Sequence, residues 1–331
     1  IDDKSLLGCT NLLIEDSLML LLGSLTIYGD LTVNGGLIFN MGEFRYGKTT
    51  EIINNSYFFN GTRGSIFCHN SFYVDSIAIS NLGKIDIEKG TIKTEKIFDN
   101  QGIINISDEL EITGGGDFVN VNTIESLIGK IRISSKSFAH KRGIINMKEV
   151  EVLSLSTLIE SKMNGTKASF RNNTLNNNEL KFQDISISGT FLNRGKISIQ
   201  NSFILDDEKA QIVNTTSIET GDVVSCSLNG IIEGGKCNAK SFKVSGNLLV
   251  NANFPSLDYV QVEESGTLVL PIENKNPVLK RITNNGKARI LSKCPKLETI
   301  ENGINAVFQL ETDIFLSNVK CFSKISGKSD I

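Results

Sequence analysis

The sequence predicts an all-β protein: a right-handed parallel β-helix with coils of about 20 residues and a smaller C-terminal β-rich domain or cap. Three observations carry that prediction. Turn-like asparagines follow short apolar runs at Asn40, Asn60, Asn81, Asn100 and Asn120, at intervals of 20, 21, 19 and 20 residues. The text around them repeats, since "GLIFNMGEF", "SYFFNGTRGSIF", "IAISNLGKIDI", "KIFDNQGIINI" and "GDFVNVNTIES" each read as strand, turn and strand. Composition agrees: no Trp, 4 Pro, and an abundance of Ile, Asn, Ser, Gly and Thr that favours pleated strands and tight turns over helices.

A period near 20 is too short for a propeller blade and lacks the helical half of a tetratricopeptide or ankyrin unit, so it suits one coil of a solenoid. Each coil holds about three short strands, each pairing with its equivalent one coil on at roughly 4.8 Å. Ile85 and Ile87 in one coil are then answered by Ile104 and Ile106 in the next. Asn at the corner is expected to take the left-handed backbone of a sharp turn, and stacked Asn amides to hydrogen-bond along the ladder.

Residues 1–20 are expected to cap the N-terminal end, with the apolar run Leu18 to Leu22 a buried strand, far short of the roughly 20 residues that cross a bilayer. Residues 21–250 form the β-helix. Past residue 120 the motif loosens: "HKRGIINM" repeats "NQGIINI" with Lys141 where Asn would stand, "FLNRGKISI" restores it at Asn193, and "IVNTTSIE" brings Asn214. Between them "ESKMNGTKASFRNNTLNNNELKF" (160–182) reads as a coil with a protruding loop. Residues 251–331 hold all four prolines, Pro255, Pro271, Pro277 and Pro295, and read as a C-terminal β-rich domain or cap covering a solenoid end that would otherwise expose strand edges.

Function must come from surface chemistry, because no catalytic signature is present and no catalytic residue, metal or cofactor is assigned. A net charge of −3 without a basic tract argues against nucleic acid. The best adjacent carboxylates, Asp206 and Asp207, read as a solvated turn, and His69 and His140 lack a nucleophile motif. His140, Lys141 and Arg142 form a cationic corner where the Asn ladder is interrupted, a binding candidate for an anionic sugar or carboxylate. Among Tyr57, Phe58, Phe59, Phe67, Phe72 and Tyr73, alternation buries half; an exposed remainder would be a sugar-stacking or hydrophobic contact patch. Contacts are to be sought where the repeat breaks, at 140–142, at 160–182 and after 250.

Six cysteines, without C-x-x-C spacing, are disulfide candidates: Cys9 with Cys68, Cys226 with Cys237 and Cys294 with Cys321, against an alternative of buried free thiols. Six glycosylation sequons stand at Asn54, Asn60, Asn105, Asn164, Asn172 and Asn214. Together they tilt the reading toward secretion. The chain opens at Ile1 without a charged-then-apolar leader, which fits a mature or trimmed protein.

The coils "ITNNGKARI", "ISNLGKIDI", "IFDNQGIINI" and "FLNRGKISI" resemble those of the N-terminal regions of yeast adhesin-like cell wall proteins of the hyphally regulated type, over roughly residues 20 to 300. Bacterial filamentous haemagglutinin-type passengers use similar coils. The resemblance implies a secreted, cell-wall-displayed adhesin domain, followed by a Ser/Thr-rich stalk and a glycolipid-anchor (GPI) signal that are not in this chain. It implies no shared catalytic residues. The expected partners are a host-cell, glycan or abiotic surface, with cell wall polysaccharide reached through the stalk. The alternatives are a polysaccharide lyase or hydrolase of the same fold, or a bacterial passenger domain.

Overall fold

The computed structural model describes residues 6–327 except 206, 208, 209, 215, 216, 221, 222, 227, 228, 256, 271–278, 292, 293, 295, 311–317 and 322–324. Among the described residues every regular element is a β-strand and the strands pair in parallel, one coil on the next. The chain divides into two compact units, residues 1–166 and 167–331, each a parallel β-solenoid.

In the first unit each coil has three faces. Face A stacks 24–27, 43–46, 65–68, 84–87 and 103–106. Face B stacks 31–34, 50–53, 71–75, 89–93 and 109–113. Face C stacks 37–40, 57–60, 78–81, 97–100, 117–120 and 137–140. Strands Ser65–Asn81 and Lys84–Asn100 run through a whole coil, their pairing shifting register at the two corners, between Ile87 and Lys89 and between Thr94 and Ile97.

Alternation decides what is inside. The inward column Leu25, Phe44, Ile66, Ile85, Ile104 and Ile124 is fully shielded from water or nearly so, and Ile87 pairs with Ile106 as the repeat requires. A second column stacks the rings of Phe98, Phe118 and Phe138, with centroids 4.9 and 5.2 Å apart and planes within 16° of parallel. Each such side chain stabilises the fold by about 1.5–3 kcal/mol through the apolar surface it hides.

The asparagines that set the period end the strands of face C and point inward. Asn40 Nδ2 donates to Asn60 Oδ1 at 2.8 Å, Asn60 to Asn81 at 2.7 Å, Asn81 to Asn100 at 2.7 Å and Asn100 to Asn120 at 2.6 Å. All five are buried. Asn40 and Asn60 also donate to backbone carbonyls, Asn40 Nδ2 to Ser65 O at 3.4 Å and Asn60 Nδ2 to Lys84 O at 3.2 Å. Positive φ outside glycine is confined, among the described residues, to Asp16 and Asn172, so the ladder asparagines do not take left-handed backbone. Their role is to bond inward, with the amide oxygen and nitrogen facing neighbouring rungs.

The glycine of Asn-x-Gly has a separate reason. A Cβ on Gly83 would collide with the Gly64 carbonyl oxygen, and one on Gly102 with the Gly83 carbonyl oxygen, because the corners stack on each other with no room between.

Residues 6–21 form a coil in register with the next one, Leu6 on Ser24, Leu12 on Leu31 and Leu18 on Leu37. Within it the expected buried strand is half-turned to solvent: Leu21 is buried, whereas Leu18 and Leu20 are exposed.

In the second unit, Ser202–Leu205, Val223–Cys226, Ser241–Val244, Tyr259–Val262, Arg281–Asn284 and Thr299–Asn302 stack in parallel. The stack therefore passes residue 250 without a break. Pro271, Pro277 and Pro295 lie outside the described residues. A shorter amide ladder joins Asn176, Asn193 and Asn214 at 2.7 and 2.8 Å, and another joins Asn284 to Asn302 at 2.7 Å. The stretch 160–182 holds no protruding loop: it is strand Lys162–Phe170, strand Asn173–Asn176 and the start of Leu180–Ile187. Its many asparagines are accommodated in strand and tight-turn positions.

Asn81→Ala removes one ladder donor and one acceptor and leaves the Asn100 amide oxygen without its donor. The expected loss is about 2–4 kcal/mol of unfolding free energy in a denaturant titration, against less than about 0.5 for its outward neighbour Ser80→Ala.

Candidate functional site

The cationic corner is placed differently from expectation. His140, rather than Lys141, occupies the Asn column, directly above Asn120, and is fully buried. The corner that follows carries one residue more than Asn-x-Gly and closes on Gly143 at φ +79°. Asn120 Nδ2 lies 3.0 Å from His140 Nδ1, and His140 Nε2 lies 3.0 Å from the Lys162 carbonyl oxygen. The ladder is thus continued and not interrupted. Because every amide below donates upward, Nδ1 accepts and Nε2 carries the proton. Burial lowers the His140 pKa. Of the predicted trio only Lys141 and Arg142 face solvent, and no described cavity includes them.

The disulfide expectation is corrected, since Cys9, Cys68, Cys226, Cys237 and Cys294 are in no disulfide. Cys9, Ile27, Tyr46 and Cys68 stand in one column, so three rungs at roughly 4.8 Å put the sulfurs' backbones about 14 Å apart, twice the reach of a disulfide. Cys226 and Cys237 are buried free thiols in different columns, pairing with Val244 and Ile218. Burial pushes the Cys226 thiol up to about 11 and Cys237 further. Cys294 is buried, and the side chain of Cys321 lies outside the described ones.

Two sequons are corrected. Asn60 and Asn214 are ladder residues with buried amides, and a glycan on either would break the ladder. Asn105 is partly buried, its Nδ2 donating to Asp86 Oδ1 at 2.5 Å. Asn164 is half-buried and Asn172 exposed. The side chain of Asn54 and all of Asp206 lie outside the described residues, and Asp207 sits half-buried in a bend.

The most distinctive surface lies where the repeat is most regular. Between the inward residues of face C, two outward columns run along the first five coils. One is Leu18, Leu37, Tyr57, Ala78 and Ile97; the other is Leu20, Phe39, Phe59, Ser80 and Asp99. Leu18, Leu20, Leu37, Phe39, Tyr57 and Ile97 are all exposed apolar side chains, between 36% and 66% accessible, gathered on one face. The Phe39 and Phe59 rings are tilted neighbours with centroids 5.7 Å apart. Phe58 and Phe72, by contrast, are in the core. The strip is not flat: the fourth rung carries only Ala78 and Ser80, between Tyr57 and Phe59 on one side and Ile97 and Asp99 on the other. These residues line a cavity of about 410 Å³. Asp99 Oδ2 accepts from Gln101 Nε2 at 2.6 Å at its edge.

A second cavity of the first unit, about 530 Å³, lies where face A turns into face B and gathers Phe67, His69, Asp86, Glu88, Asn105 and Asp108. Asp86 is already held by Lys84 Nζ at 2.7 Å, and Arg45 lies over the Phe67 ring at 4.8 Å. The second unit has a groove of about 630 Å³ on Thr190, Gln211, Ile231, Leu249 and Val269, without an aromatic ring. Among the described residues no group of three His, Cys, Asp or Glu side chains could hold a metal ion, and no helix is long and apolar enough to cross a membrane.

Set against family models, curated proteins and solved structures, the chain finds no match. The strip was readable in outline: once the asparagines are aligned, the residues one and three places before each give both columns. What pattern alone does not show is that the small pair Ala78 and Ser80 makes a notch between larger walls.

The His140 geometry fixes a pH dependence. Its folded pKa lies below its unfolded value near 6.5, so the unfolded chain binds more protons and stability falls as pH drops through about 6.5. His140→Asn, which restores the ladder residue, is expected to keep the melting temperature at neutral pH and to flatten that decline in thermal melts across the range.

Proposed function

We propose that this chain is a non-enzymatic contact module displayed on a cell surface, an adhesin-like domain of the cell wall type. The observation that supports this reading is the apolar and aromatic strip of face C, built outward on a scaffold whose inward positions are hydrocarbon and bonded amide. Such a strip costs solubility and adds nothing to the core, so it is best accounted for by something it touches. A rigid solenoid presents that strip at fixed spacing, and many copies on one surface multiply a weak contact into firm attachment. Secretion and anchoring belong to the same proposal.

A polysaccharide-active enzyme is the second reading, and the cavity lined by His69, Asp86, Glu88 and Asp108 is the observation that favours it, since it brings several carboxylates to one hollow. Depolymerisation of a polysaccharide that disappears in Asp86→Asn or Asp108→Asn would replace the first reading with this one.

The test of the contact reading is retention of protein-coated beads under flow on cell monolayers and polystyrene. Coated beads are expected to outlast bare ones several-fold, and the double variant Phe39→Ser/Tyr57→Ser to lose most of that gain with an unchanged melting temperature. Equal retention of bare and coated beads on both surfaces defeats the reading.

A further inference from the structure

We propose that the notch on face C, formed by Tyr57, Phe59, Ala78, Ser80, Ile97 and Asp99, is a binding site for a neutral saccharide chain. The inference rests on the contact reading above and names the partner chemistry of the same strip.

The two walls of the notch differ in kind. On one side stand the rings of Tyr57 and Phe59, with Phe39 continuing the platform one rung below; on the other stand Ile97 and the Asp99 carboxylate. Between them the floor is only a methyl group and a hydroxymethyl, Ala78 and Ser80. The width across the two columns is about 7 Å and the five rungs extend roughly 19 Å, so the site suits an extended, flat-sided chain.

Charge and polarity then choose among occupants. The lining carries one ionised group, Asp99, which disfavours an anionic chain. A purely hydrocarbon occupant would strip water from the Asp99 carboxylate and the Ser80 hydroxyl and return no hydrogen bond, at a cost that cancels much of its apolar gain. A neutral sugar satisfies both requirements. Its C–H face lies on an aromatic ring, and its hydroxyls donate to the carboxylate and exchange bonds with Ser80. The Gln101 amide, bonded to Asp99 at 2.6 Å, fixes the carboxylate in place and leaves its other oxygen for the ligand.

The experiment is a titration of the full chain, followed by NMR and calorimetry, with four probes: neutral hexose oligosaccharides, an acidic oligosaccharide, a lysine-rich peptide and an alkyl detergent. The expected result is binding of a neutral oligosaccharide that is insensitive to salt, is abolished by Ala78→Phe, which fills the notch, and is weakened roughly tenfold by Asp99→Ala. Melting temperatures of both variants identify any loss due to unfolding, and Ser80→Leu serves as a second blocking variant if Ala78→Phe does not fold. Salt-sensitive binding of the peptide alone overturns the proposal in favour of a basic protein partner. Binding of the detergent alone, or of nothing, overturns it as well. If no saccharide binds while beads still depend on Phe39 and Tyr57 for retention, the contact reading stands and only the saccharide falls.

Discussion

A buried primary amide is expensive unless both ends are bonded, and the first unit contains five in one column followed by a histidine. Each is bonded to a like group one rung away as well as to nearby backbone, which favours an amide, or something that bonds like one, at the same place in successive coils. The interval of 19 to 21 residues follows from that requirement as much as from strand length. So does the glycine two or three places on, since corners stacked at rung spacing leave no room for a Cβ over the carbonyl below. The apolar columns then supply most of the stabilising energy, but they would tolerate a slip of two residues, which keeps inward side chains inward; misaligned amides would not.

The ladder has a direction, because each nitrogen donates to the oxygen of the next rung. His140 fits at its end for a physical reason: a neutral imidazole accepts at one nitrogen and donates at the other, reproducing the amide's bonding with a longer reach to the Lys162 carbonyl. A proton added at Nδ1 would face the Asn120 N–H protons, and relief would require turning amides successively down the column.

Much of this was legible in the sequence. The all-β class, the coil length and the amide ladder follow from Asn spacing and alternation. The misreadings arise because a short motif says neither which way a side chain points nor on which rung it stands. Aligning "HKRGIINM" by its glycine put Lys141 on the column, whereas the corner has an additional residue and the column takes His140. Asn60 and Asn214 satisfy a three-residue sequon while facing the core. Cys9 and Cys68 face the same way but stand three rungs apart, a separation invisible without the register. The candidate site was sought where the repeat falters, yet it lies on regular coils, where inward residues build the scaffold and outward residues are free to differ.

Scaffold and site therefore share one geometry: if the coils stack in register, Tyr57, Ala78 and Ile97 must form a single outward column. Engineered disulfides measure this directly. Cysteines at Ala78 and Ile97, one rung apart at roughly 4.8 Å, are predicted to cross-link on mild oxidation, whereas cysteines at Tyr57 and Ile97, two rungs and about 10 Å apart, are predicted to remain reduced. Cross-linking of the second pair in preference to the first would contradict the register and, with it, both the ladder and the notch.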